Sequence, residues 1–315
     1  MRTRRLGRSG LAVSVVGLGC NNFGSRIGRE ATQDVVHAAV DAGITLFDTA
    51  DIYGDPHGAS EELLGEALVG HRDDVVVATK LGKDMGGIDG LDWDARGSRR
   101  YVRTAVEASL RRLRTDRIDL LQMHEPDPAT PIEETLAALD DLVRDGKVLY
   151  LGSSQFAGWQ VVEAEWTARA RGTSRFVSTQ DKYSVIDRGA ERELIPACLA
   201  TGVGLLPFFP LEHGLLTGKY RRSSPPPPGS RLARSTHTEL LERAPWDTLE
   251  ALEGFAVARG LTLLDVAVGG LAAQPSVASV IAGATTPEQV VANVAAGTWQ
   301  PTADDLAELD RLTAG

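Results

Sequence analysis

The chain has 315 residues, 43% of them hydrophobic and 24% charged, a composition that supports a large core and argues against disorder. Its formal charge of -10 excludes a general affinity for nucleic acid or anionic membrane, which needs concentrated Lys and Arg, so the basic runs at residues 2–5 and 111–114 read as solvated faces. Cys20 and Cys198 lie far apart without CxxC or Cys/His spacing, and neither a leader-like apolar run nor a membrane-length apolar stretch occurs, so the expectation is a cytoplasmic protein with no structural disulfide and no metal.

The first residues, with Gly7-Arg8-Ser9-Gly10 between short apolar stretches, predict a β-hairpin that plugs one end of the main domain. Eight short apolar or β-branched runs then alternate with helical periodicity. The strands are predicted at residues 15–18, 45–48, 75–80, 119–124, 148–153, 176–180, 202–207 and 277–282. The helices are predicted at 32–42, 60–68, 100–113, 131–145, 156–170, 191–200, 247–273 with a break at Gly260, and 287–296. Thr130-Pro131 followed by Glu133 and Glu134, and Thr286-Pro287-Glu288, each place a cap, a first-turn proline and acidic residues in order. Eight βα units without a domain-scale linker predict one α/β domain over residues 1–315, a (β/α)8 barrel rather than an open doubly wound sheet.

Two connections are long, 82–97 after the third strand and 211–246 after the seventh. The second contains Pro225-Pro226-Pro227-Pro228, which can continue neither a helix nor a central strand and predicts an extended surface segment.

A parallel barrel carries its chemistry where its strands end. Strand two ends in Asp48 with Tyr53 shortly after, strand three in Lys80, strand four in His124, strand five in Ser153-Ser154-Gln155 and strand six in Gln180. A phenol titrates near 10, so Tyr53 needs a neighbouring ammonium to exchange protons near neutrality, and Lys80 is the strand-end candidate. Asp48 supplies the counter-charge that lets a lysine sit inside a barrel mouth, and the imidazole of His124 can orient a carbonyl oxygen. Singly each has a bland role as cap, packed ring, surface charge or core histidine. Together, on consecutive strands, they describe a site.

Phe47-Asp48-Thr49-Ala50-Asp51-Ile52-Tyr53-Gly54, Ala78-Thr79-Lys80, Gln122-Met123-His124 and Gly146-Lys147-Val148 leading to Gly152-Ser153-Ser154 resemble the signatures of the aldo-keto reductases. The resemblance runs from Gly17 to Asn293. It implies an NAD(P)H-dependent reductase of aldehydes or ketones with Tyr53 as general acid, Lys80 and Asp48 tuning it and His124 orienting the substrate. It further implies nucleotide contacts from Gly19, Cys20, Asn21, Asp48, Ser154, Gln155 and Gln180, and stacking of the nicotinamide on Phe208. A segment over the pyrophosphate would run through Phe209, Pro210, Leu211, Gly214, Leu215, Gly218 and Lys219. The adenosine end would fall at Gly283, Thr285, Gln289 and Asn293. NADP(H) is the implied cofactor by family habit, with NAD(H) the alternative.

Substrate contacts are expected from Asn21, Phe23, Trp93, Tyr183 and His213, with His57 a further candidate, and the acidic loop at 84–94 would suit a hydroxylated small carbonyl such as a sugar. The competing readings have weaker traces. Gly17-Leu18-Gly19 lacks the third glycine of a dinucleotide fingerprint at the required spacing, and no tyrosine has a lysine four residues on. Paired carboxylates Asp48 and Asp51 for hydrolysis would leave Lys80 and His124 without a role. The resemblance extends to potassium-channel β subunits, a nucleotide-binding regulatory alternative.

Overall fold

The computed structural model describes residues 1–233 and 238–314. The chain opens with the predicted hairpin, β1 (Thr3–Arg5) and β2 (Ala12–Ser14), paired antiparallel with Thr3 opposite Ser14. Eight parallel strands come next: β3 (Val16–Gly19), β4 (Leu46–Asp48), β5 (Val76–Leu81), β6 (Ile118–Met123), β7 (Val148–Ser154), β8 (Phe176–Lys182), β9 (Gly204–Phe208) and β10 (Val280–Gly283). They pair in chain order, and β10 returns to pair with β3. The last seam closes through Leu205 N–H to Ser276 O at 2.7 Å and Ala278 N–H to Leu205 O at 2.9 Å. The result is the (β/α)8 barrel.

The outer ring is α1 (Arg29–Asp41), α2 (Ala59–Ala67), α3 (Arg99–Leu113), α4 (Ile132–Arg144), α5 (Gly158–Arg171) and α6 (Leu194–Thr201), one after each of β3 to β8. The short α7 (Thr238–Glu242), then α8 (Trp246–Val257) and α9 (Leu263–Ala272), come after β9, and α10 (Pro287–Ala296) and α11 (Ala303–Thr313) after β10. Among the described residues no helix is long and apolar enough to cross a membrane.

The hairpin covers the N-terminal end of the barrel. Leu6 and Val13 are fully buried against Leu46, Ala78, Leu120 and Leu206 of the barrel strands. Arg8 N–H bonds Gly202 O at 2.7 Å, holding the hairpin turn to the barrel rim. With that end sealed by apolar packing, only the C-terminal strand ends remain for chemistry.

Several boundaries differ from the sequence reading for local reasons. Gly202 caps α6 at φ 77°, so β9 starts two residues later than predicted. The 247–273 stretch does break at Gly260 as predicted: it is two helices, parted around Gly260 at φ 66° and restarted by Thr262, whose hydroxyl accepts from Asp265 N–H while Asp265 accepts from Thr262 N–H. Thr130 does not cap α4. Pro131 occupies that position, and the Thr130 hydroxyl donates to Asp127. Thr286 does cap α10, with Pro287 in the first turn. Part of the long 211–246 connection, residues 234–237, lies outside the described residues.

Candidate active site

The C-terminal strand ends surround a cavity of about 630 Å³. Asp48 ends β4, and its short strand leads into a tight turn in which Tyr53 N–H bonds Ala50 O and Ser60 N–H bonds Tyr53 O, so the main chain that carries the phenol is fixed at both sides. Lys80 near the end of β5 is fully buried, and its Nζ donates to Asp48 Oδ2 at 2.7 Å and to Thr49 O at 2.9 Å. The same ammonium lies 5.0 Å from the centre of the Tyr53 ring. His124, one residue past β6, meets Tyr53 edge-on with ring centres 5.8 Å apart and planes at 85°. Its backbone N–H is held by Leu81 O at 2.7 Å, which ties this residue to the strand that bears Lys80.

Electrostatics sort these groups by protonation state. Burial pulls the Lys80 ammonium down, but Asp48 and Tyr53 more than offset it, so its pKa is raised and it stays cationic. For Tyr53 burial is the largest effect and raises the phenol above its ordinary value, with Lys80 countering only in part. That corrects the expectation of a net lowering and describes a phenol that holds its proton. Burial, then the charges of Lys80 and Lys83, lowers His124 to about 2, so the ring is neutral, and its Nδ1 has no hydrogen-bond partner among the described residues.

Asp48 is gripped more fully than the sequence indicated. Its Oδ1 accepts from Gln180 Nε2 at 2.9 Å and from Gln122 Nε2 at 3.1 Å. Gln122 has no role assignable from sequence beyond its place in the Gln122-Met123-His124 motif, although, two residues before His124, it shares that residue's barrel face. The opposing position on β7 is Gly152, where a Cβ would stand 3.0 Å from Gln122 Cγ, so the glycine makes room for the amide.

A second buried knot steadies the Tyr53 turn from behind. Arg112 of α3 donates Nε to Glu61 Oε2 at 2.6 Å and both Nη atoms to Asp89, at 2.6 and 3.2 Å. Its stem crosses Gly58, which sits at φ 90° and whose Cβ would be 2.6 Å from Arg112 Cδ. Asp51, in the same turn as Tyr53, is fully buried with Oδ2 unpartnered among the described residues, and burial, with Glu61 and Asp89 adding to it, raises its pKa well above the usual range.

All residues expected to hold the nucleotide line the cavity except Leu215 and Gly218. Leu215 packs instead with Leu216, Tyr220 and Leu252, and Gly218 ends a 3-10 turn at φ 74°. Gln155 sits at φ 58° and spends its amide on His124 O at 3.0 Å. Phe208 presents its ring beside Phe209, with centres 5.3 Å apart. Gly214, at φ 98°, has Lys219 Nζ within 3.3 Å of where its Cβ would be, so the glycine lets this ammonium lie close against the backbone of the cavity wall. At the N-terminus of α10, capped by Thr286, Thr285 and Gln289 line the cavity with their N–H groups already held by Gln289 Oε1 and Thr286 Oγ1, so this helix start offers chiefly its positive dipole end. These features fit a nicotinamide dinucleotide.

The substrate candidates fare unevenly. Asn21 and His213 line the cavity. Phe23 and Tyr183 are core residues, the latter donating its hydroxyl to Glu191 at 2.7 Å. Trp93 is 66% exposed and stacks under Arg100, and His57 is exposed away from the cavity. The acidic loop is likewise turned elsewhere: Asp92 pairs with Arg96 and Asp89 with Arg112. Lining residues missed by the sequence reading include Arg26, Lys83 and Arg231, charges on loops that periodicity does not aim.

The model of the aldo/keto reductase family matches residues 15–314, and the chain belongs to that family. It is 38% identical over 291 residues to an uncharacterized oxidoreductase, YrpG, of Bacillus subtilis strain 168, covering 90% of this chain and 87% of that one. It is 35% identical over 311 residues to a probable voltage-gated potassium channel β subunit of Oryza sativa subsp. japonica, covering 94% and 91%, and 33% identical over 312 residues to an L-glyceraldehyde 3-phosphate reductase of Escherichia coli K12, covering 94% and 87%. The protein is an NAD(P)H-dependent oxidoreductase that reduces small aldehydes or ketones.

Proposed function

We propose that residues 1–315 act as one domain in which Tyr53 is the general acid for carbonyl reduction, with the four-residue site Asp48, Tyr53, Lys80 and His124. The carrying observation is the buried ladder from Asp48 to Lys80 at 2.7 Å and on to the Tyr53 ring at 5.0 Å, with His124 edge-on to the same ring. Phe208, which lines the cavity, would hold a nicotinamide, and that group would supply the hydride for the carbonyl carbon. Tyr53 gives its proton to the carbonyl oxygen, and the charge left on the phenol is stabilised by Lys80, which Asp48 holds in place. Neutral His124 orients the oxygen through a ring nitrogen without competing as an acid. Ser154, Gln155 and Gln180, which line the cavity, would hold the nicotinamide carboxamide.

NADP(H) is the proposed cofactor. The support is the sign of the cavity wall, where, Lys83 aside, Arg26, Lys219 and Arg231 outnumber the carboxylate Asp48. A cytoplasmic location suits two cysteines that are free and buried. The substrate is a small carbonyl, in keeping with a cavity of about 630 Å³ that the nucleotide would share. Loss of nicotinamide absorbance on a panel of aldehydes and ketones, run with NADPH and NADH in parallel, tests the reading. The expected outcome is turnover, faster with NADPH. Tight nucleotide binding with no turnover on any carbonyl would favour the regulatory reading that the channel-subunit relative raises.

A further inference from the structure

We propose that the substrate carries an anionic oxyacid group, a carboxylate or a phosphate, and that Lys83 receives it. The inference rests on the carbonyl-reduction reading and names the substrate class for that site.

The reacting end of the cavity is marked by Tyr53 and His124, and the turn after β5 delivers Lys83 to it. Gly82 sits at φ 114°, so close to the end of β6 that a Cβ there would stand 3.3 Å from Met123 Cε and 3.7 Å from His124 N. Lys83 then lines the cavity beside His124, near enough for its charge to disfavour the imidazolium. Its present partner is Glu125 at 3.0 Å, with the two side chains 29% and 40% exposed. An ion pair that open to water is worth little, so an oxyanion entering the cavity can replace Glu125 at small cost.

The remaining charges agree. Asp48, the carboxylate in the cavity wall, is committed to Lys80, Gln122 and Gln180. Asp84, Asp92 and Asp94 gather on Arg96, and none of them lines the cavity, so no carboxylate of that loop opposes an incoming anion there. Lys219 lies against Gly214, along the segment after Phe208, and is placed for the phosphates of the nucleotide. The nicotinamide end bears no phosphate, which leaves Lys83, beside His124, for the substrate. A chain of net charge -10 that nevertheless lines one cavity with cations concentrates anions there.

The test measures kcat/KM for matched pairs: para-carboxybenzaldehyde against para-methylbenzaldehyde, and glyceraldehyde phosphate against glyceraldehyde. In low salt the wild-type enzyme should prefer the anionic member by about two- to fivefold, the size expected of one part-exposed charge contact, through a lower KM. The preference should shrink as salt is added. Lys83→Gln should bring the ratio close to one, Lys83→Arg should restore it, and Glu125→Gln should increase it. Which pair shows the larger ratio identifies carboxylate or phosphate as the group selected. A neutral preference in low salt, or a ratio untouched by Lys83→Gln, overturns the inference while leaving carbonyl reduction standing. Failure of every aldehyde to oxidise the nucleotide overturns the reading beneath it.

Discussion

Tyr53 and Lys80 were legible because a barrel turns chain position into spatial position: residues at the ends of consecutive strands must face one mouth. What that rule does not fix is the direction of a side chain on a loop. Phe23 and Tyr183 stand at the right places in the chain, yet both rings turn into the core. Gln122, visible in the Gln122-Met123-His124 motif, carries no assignable role from sequence for the opposite reason, as a polar residue inside a strand where sequence alone cannot tell a partnered amide from an edge position. The proton inventory yields the sharpest test at this scale. Tyr53→Phe should lower kcat by on the order of 10²–10⁴-fold with the nucleotide Kd little changed, since only the proton donor is lost. Reduction needs the phenol protonated, and its raised pKa keeps it so throughout the neutral range. His124, lowered to about 2, is neutral over the same range. The pH profile of kcat/KM for reduction should therefore carry no midpoint near 6.5; one there, lost in His124→Ala, would mean that the imidazole titrates during turnover.

Among the elements, alternation of short apolar runs with amphipathic stretches was sufficient to place all eight βα units, because each parallel strand is buried on both faces and each helix on one. Ends were less legible, since a single residue decides them: Gly202 stops α6, and Pro131 displaces Thr130 from the cap of α4. Helix α11 lies outside the βα repeat and went unpredicted, although Thr302 and Asp305 form a reciprocal cap whose spacing is visible in the sequence. Two substitutions separate end effects from tertiary ones. Thr302→Ala removes a cap and should cost about 1 kcal/mol. Arg112→Leu strands Glu61 and Asp89, whose side chains are 0% and 1% exposed, without their cation, and should cost about 3–5 kcal/mol. Denaturant midpoints on the two variants check the order. Equal losses would mean that the knot behind the Tyr53 turn contributes no more than a surface cap.

For the molecule as a whole, the hairpin plug and the closed seam leave one open end, and buried charge is concentrated beneath it. Asp48 with Lys80 is a balanced pair, whereas Glu61 and Asp89 share Arg112 and nearby Asp51 has no ion-pair partner among the described residues. That imbalance has a signature in stability against pH. Burial first, then Glu61 and Asp89, raises Asp51 above its ordinary value of 3.8. The folded state therefore holds this proton more tightly than the unfolded chain does. Its contribution is fully present below 3.8 and is lost as pH rises toward the folded-state value. Asp51→Asn keeps an oxygen for Ile52 N–H, which Asp51 Oδ1 accepts at 2.7 Å, and removes the titration. The difference in unfolding free energy between variant and parent should stay flat in acid, then move in favour of the variant as pH rises, by at most about 1.4 kcal/mol per pH unit. His124 works in the other direction. Its lowered pKa makes both proteins lose stability as pH falls below 6.5, but that loss is common to the two and cancels in the difference. Urea midpoints taken across the acid-to-neutral range decide the matter: a difference that moves toward the parent with rising pH would mean that Asp51 is ionised and favourably paired in the folded protein.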